Sequence, residues 1–209
     1  LLQTLEQEGF IKYDMYGGYV IADRTYKMLI STWEQESRKV ERLAILQKLS
    51  SKIDETCGIA ILNNNQMLYT DRVQTNWPLQ VYLPVGSQVP LWCTSSGKLF
   101  LSFQPKNKRK NIVEHLPITQ LTKNTITDPQ LLEQNLDKIF NQKLATDNEE
   151  FIAGMVAFSV PIQKQGNIVA CLYTHAPSIR KSLDELLAFE PLLREAAYEL
   201  SKLIQNSES

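Results

Sequence analysis

The chain is 209 residues long, with 43% hydrophobic and 22% charged residues and a formal net charge of −1. That length suits one good-sized domain plus a smaller piece, and the composition is ordinary for a globular protein. The near-zero charge excludes a global basic field for nucleic acid, no apolar run approaches the roughly 20 residues of a membrane helix, and no signal peptide opens the chain.

The first residue is Leu1 rather than Met, and it leads straight into helix-like sequence, so the chain is expected to be truncated. "LLQTLEQEG" carries Leu1, Leu2 and Leu5 at helical spacing and stops at Gly9. "FIKYDMYGGYVIA" reads as two short strands, Phe10 to Tyr13 and Tyr19 to Ile21, around a Gly17-Gly18 tip. Asp23 can cap a short helix through Met28 and Leu29. Helix, hairpin, helix is how a winged helix-turn-helix ends; a small subdomain unrelated to DNA has the same spacing. Residues 33–54 hold Val40, Leu43, Leu46, Leu49 and Ile53 at steps of three or four, with no Gly or Pro, and read as one connecting helix. The domain boundary is expected near Trp33 to Ser37.

From Thr56 strands dominate: 56–62 and 66–73 around the "NNN" at 63–65, then a short strand at 79–83. Pro105 opens one helix; Asp128 and Pro129 open another whose face is Leu132, Leu136, Ile139 and Phe140. "KLATD", "GMVAFSVPI" and "IVACLYTH" give three strands, the last two joined across "QKQGN". Ser182 and Glu185 form a capping box, and Pro191 should break or kink the final helix. The fold class is α+β with a mainly antiparallel sheet flanked by helices.

The chemistry turns on "LWCTSSGKLFLSF", residues 91–103. A phosphate-cradling loop needs Gly, four residues, then Gly-Lys-Ser/Thr. Here Gly86 lies eleven residues before Gly97, and Leu99 follows Lys98. Ser95 and Lys98 match a Ser-x-x-Lys, but the Ser-Asp-Asn and Lys-Thr-Gly partners are missing. Cys93 precedes a helix start whose dipole would lower its pKa, and His175 could serve as its base, with no orienting third group in view. The cysteines Cys57, Cys93 and Cys171 form no pair or C-x-x-C, which points to a reducing, cytoplasmic setting. Only two histidines are present; His115 reads as an exposed helix position, and Cys171, Tyr173 and His175 as one strand face, so no metal or other cofactor is expected. Lys106, Lys108, Arg109 and Lys110 read as a solvated helix face. What remains for the stretch is a helix start. Thr94, Ser95 and Ser96 supply caps, Gly97 allows close backbone approach, and the unpaired first-turn amides suit a carboxylate. Lys98 is expected near the rim of such a site.

In their order along the chain, these segments resemble the IclR family of bacterial transcriptional regulators. "LLQTLEQEGFIKYD", "GGYVIA", "VGSQVPLWCTSSGKLFLSF", "LTKNTITDPQLL", "LATDNEEFIAGMVAFSVPI", "GNIVACLYTHAPSIR" and "LREAAYELSKLI" carry the resemblance. It implies a partial winged helix-turn-helix over 1–32, a linker helix over 33–54 and a GAF- or profilin-like effector-binding domain over 55–209. It also implies operator DNA as a partner, met here by Lys12 and Tyr13, with most of the DNA-reading part upstream of Leu1. A homodimer or homotetramer with no membrane association is expected, responding to a small carboxylic or aromatic acid and catalysing nothing.

The family's ligand positions fall at the amides of Ser95 and Ser96, the acid at Asp147, the cysteine position at Ala157 and two serine positions at Tyr173 and His175, with Trp92 and Met155 as further wall. The last three ligand positions depart from the pattern. Tyr173 and His175 either plug the pocket or meet a different, aromatic, acid. Trp92 is either pocket wall or plain core. Two other readings stand beside this one: a small-molecule hydrolase using Cys93 or Ser95 with His175 or Lys98, and a vestigial sensor that serves only as a dimerisation module.

Overall fold

A computed structural model describes residues 1–13, 18–22, 24–25, 28 and 36–205. The chain forms two compact units, Leu1–Glu41 and Arg42–Ser209. In the smaller, α1 (Leu2–Gln7) ends where Gly9 takes φ +73°, a conformation costly for other residues. Strands β1 (Ile11–Tyr13) and β2 (Tyr19–Ile21) pair antiparallel. The Gly17 side of the hairpin tip, the Asp23 cap and Leu29 lie outside the described residues.

The larger unit is built on a six-stranded antiparallel sheet, β3 (Thr56–Asn63), β4 (Gln66–Val73), β5 (Gln88–Pro90), β6 (Ala145–Asn148), β7 (Met155–Lys164) and β8 (Asn167–Pro177), in the order β5-β4-β3-β8-β7-β6. Tight turns close two of its hairpins, with Asn64 at φ +56° and Gln165-Gly166 at φ +50° and +82°. Residues 79–83, expected as a strand, are irregular: Leu79 and Tyr82 are exposed, Pro78 and Pro84 bracket the stretch, and the next strand forms only at Gln88.

Helix α2 (Glu36–Ile53) buries Leu46, Leu49 and Ile53, but Val40, expected on the same stripe, is 70% exposed. Helices α3 (Ser95–Ser102), α4 (Lys106–His115) and α5 (Pro129–Gln142) contribute to a hydrophobic cluster that includes Leu99, Val113 and Leu132. Asp128 caps α5 by accepting from Gln130 and Leu131, and Pro129 fills its first position. Phe140, expected on the buried face of α5, is half exposed and packs edge-on against Phe103. The solvated-face reading of 106–110 fails at Arg109, which is buried between Glu133 and Asp137 of α5. The Ser182–Glu185 capping box opens α6 (Leu183–Leu187); the chain breaks there, and α7 (Glu190–Gln205) restarts with Pro191 in its first turn.

One irregularity positions the site. Between β3 and β4 the register shifts at Ile59/Ala60, so Ile59 opposes Asp71 while Ala60 opposes Tyr69, and Thr70 is the extra residue. Tyr69 and Arg72, three apart in sequence, therefore share the face covered by α3. Asp71 turns to the other face, where it is buried and paired with Arg42.

Candidate ligand-binding site

Residues in cross-strand register point to the same side of a sheet. On the α3 side one row runs Asp147, Ala157, His175, Thr56 and the next runs Ala145, Ser159, Tyr173, Gly58, Arg72. Met155 lies two residues before Ala157 on that face and is buried.

Helix α3 begins directly above these rows. Thr94 is its N-cap, accepting from the Gly97 amide at 3.1 Å, and the Lys98 amide bonds the Thr94 carbonyl at 2.9 Å. The amides of Ser95 and Ser96 therefore stand in the first turn with no acceptor inside the helix. Two contacts pin this end to the sheet: Ser95 Oγ meets Ser159 Oγ at 2.7 Å, and Cys171 Sγ donates to the Ser96 carbonyl at 3.4 Å. Gly97 makes the close approach possible, since a Cβ there would collide with the backbone of Leu91 and Pro90.

Beside the helix start lies an acidic corner. Asp147 is fully buried; its Oδ1 accepts from the amides of Glu150 at 2.7 Å and Phe151 at 3.3 Å, and its Oδ2 has no partner. Burial pushes its carboxyl up to about 7, with the Glu150 amide opposing. Lys98 is not at a rim: it is 1% exposed and forms an ion pair with Glu150, whose second oxygen is unpartnered. A buried ammonium requires such a partner, and "TDNEEF" supplies it from the turn after β6.

The opposite wall is aromatic. Tyr173 is 1% exposed and stacks on Tyr69 with ring centroids 4.3 Å apart; His175 lies nearly parallel to it at 6.0 Å. The Tyr173 hydroxyl rests against Gly58, where a Cβ would overlap it, and neither that hydroxyl nor His175 Nε2 has a hydrogen-bond partner. Burial, helped by the charge of Arg72, depresses His175 to about 3, so its imidazole is neutral. Arg72 donates to Gln74 Oε1 at 2.7 Å and to the Val81 carbonyl at 3.1 Å, while its Nε is buried without a partner. Trp92 belongs to the hydrophobic cluster and donates to the Thr119 carbonyl at 3.2 Å.

The structure thus brings Ser95, Ser96, Asp147, Met155, Ala157, Tyr173 and His175 to one face. Lys12 and Tyr13 lie in the smaller unit on β1, both exposed, with Tyr13 edge-on to Tyr19. The sequence reading missed Tyr69, Arg72, Glu150 and Ser159. The expectation that a helix dipole lowers the Cys93 pKa is overturned: burial pushes the thiol up to about 12, with Asp147 and Glu150 adding to it. Among the described residues no cluster of three or more His, Cys, Asp or Glu is arranged to hold a metal, and no helix is long and apolar enough to cross a membrane.

The larger unit is thus an α+β domain with unpartnered buried polar groups on the side of its antiparallel sheet that α3 covers. The family model described as "Bacterial transcriptional regulator IclR C-terminal" matches residues 38–202, and the chain belongs to the IclR family as a ligand-responsive transcriptional regulator. It is 37% identical over 185 residues to the Cupriavidus necator protein described as "Probable transcriptional regulator SauR", covering 88% of this chain and 73% of that one. The crystal structure of the C-terminal domain of Escherichia coli KdgR aligns with TM-score 0.70 at 25% identity, over 80% of this chain and 98% of that domain. The inducer-binding domain of PobR from Acinetobacter, a double mutant in complex with 3-hydroxybenzoic acid, aligns with TM-score 0.71 at 26% identity, over 76% of this chain and 94% of that one.

Proposed function

We propose that residues 55–209 sense a small organic acid held between the start of α3 and the sheet, by Ser95, Ser96, Asp147, Met155, Ala157, Tyr173 and His175, with Trp92 supporting the wall. One observation carries this reading: Asp147 Oδ2, Glu150 Oε2, Tyr173 Oη and His175 Nε2 are buried polar atoms without partners on the side of the sheet that α3 covers. Each such group costs about 1–3 kcal/mol when left unsatisfied. A ligand with oxygens to share removes that cost, and the helix start favours an anion. The PobR domain, with 3-hydroxybenzoic acid bound, supports an organic acid as the effector class.

On this reading residues 1–32 are the end of a winged helix-turn-helix that meets operator DNA through Lys12 and Tyr13, and 33–54 link it to the sensor. The protein works in the cytoplasm as a homodimer or homotetramer. It is not an enzyme. The buried Cys93 thiol, titrating at about 12, is a poor nucleophile, Ser95 Oγ is engaged by Ser159, and Lys98 is engaged by Glu150. A thermal-shift screen of small carboxylic acids tests the sensor. A ligand at a hundred times its Kd stabilises by about 2.7 kcal/mol, a rise of several degrees, and Asp147→Ala should abolish the rise. A set of acids that shift both proteins equally, or shift neither, contradicts the assignment.

A further inference from the structure

We propose that Tyr173 sets the size of the effector: its phenol ring occupies the space an aromatic acid would need, so the chain senses a short aliphatic hydroxy or keto acid and excludes benzoate-sized ones. This rests on the sensor reading above. The ring is held on three sides, by Tyr69 stacked at 4.3 Å, by His175 parallel at 6.0 Å, and by Gly58 at its tip. Gly58 and Tyr173 are a matched pair across β3 and β8, because any side chain at 58 would overlap the tyrosine hydroxyl. The ring therefore has a seat made for it.

Packing alone does not explain a tyrosine there. Its hydroxyl is buried without a partner, a cost that phenylalanine would avoid with the same ring. The hydroxyl sits over Gly58 in the row that ends at Arg72, whose charge acts on it, so the ring lies across the sheet from β8 to β3 and closes that side of the site. The polar atoms left to a ligand on the other side, Asp147 Oδ2 and His175 Nε2, flank Ala157 in one row of the sheet. Alanine is the smallest side chain of that row, and it stands between those two polar groups.

Calorimetric titration of the 209-residue chain with glycolate, pyruvate, 3-hydroxybenzoate and 4-hydroxybenzoate tests this. Wild type should bind an aliphatic acid at least tenfold more tightly than either benzoate. Tyr173→Ala leaves a phenol-shaped hole faced by Tyr69, and such holes accept free aromatic molecules. This variant should gain at least tenfold in hydroxybenzoate affinity, while Tyr173→Phe, which keeps the ring, should not. Hydroxybenzoate binding to wild type as tightly as any aliphatic acid overturns the role of Tyr173 and leaves the sensor reading standing. A cooperatively melting Tyr173→Ala without the gain overturns it too. If Tyr173→Ala does not fold, the acid preference of wild type and Tyr173→Phe decides alone. Binding of no acid to wild type or either variant overturns the sensor reading itself.

Discussion

Lys98 and Asp147 show how far single residues in this site depart from their exposed behaviour. Lys98 is buried against Glu150, so Lys98→Ala strands a carboxylate in the interior and should cost about 3–5 kcal/mol in a denaturant melt. The double variant Lys98→Met, Glu150→Leu should recover most of that loss, because it strands no charge; a double variant as weak as the single one would contradict the pairing. Asp147 holds its proton up to about pH 7 in the folded chain, against 3.8 for the free group. The folded state therefore binds the extra proton between those values, and stability from this group falls as pH rises from about 4 to 7. His175 acts oppositely: its pKa falls from 6.5 to about 3, so stability is lost as pH drops through that range. Asp147→Asn keeps an oxygen for the Glu150 and Phe151 amides and removes only the first effect. The variant should gain on wild type in denaturation midpoint as pH rises from 4 to 7 and level off above; a difference that stays flat with pH would refute the burial of a protonated Asp147.

At the scale of elements, much of the fold can be read from local chemistry. Thr94, Asp128 and the Ser182–Glu185 box mark helix starts because each offers an oxygen to amides that the helix cannot satisfy. The alternation Cys171, Tyr173, His175 gives the face of β8 because the period of a strand is two. The same rule misleads on β4. Its extra residue at Thr70 puts Tyr69 and Arg72 on one face, and the sequence carries no mark of that bulge. Residues 79–83 have a strand's composition but no neighbour to pair with before β5 forms at Gln88. Lys98 and Glu150, 52 residues apart, become partners only when α3 packs on the sheet. Gly97 tests that packing. Gly97→Ala improves helix propensity by up to about 1 kcal/mol, yet its Cβ meets the backbone of Leu91 and Pro90, and overpacking of that kind costs about 1–3 kcal/mol. A net loss of stability in urea is expected; a net gain would mean that α3 is not seated as closely as described.

For the molecule as a whole, the order of segments identifies the family, while the proposed effector site is made of side chains that meet across five strands and a helix. Ser95 and Ser96 mark the helix start in the sequence, and Asp147 is found through the resemblance. The aromatic stack and Arg72 come from tertiary packing. The proposed site holds an acid without transforming it. The most direct measurement is titration calorimetry of the best acid from the screen, followed by recovery of the acid from the cell. Saturable binding at one site per chain is expected, weakened at least tenfold by Asp147→Ala, with the acid recovered unchanged. Consumption of the acid, or binding indifferent to Asp147, would contradict it.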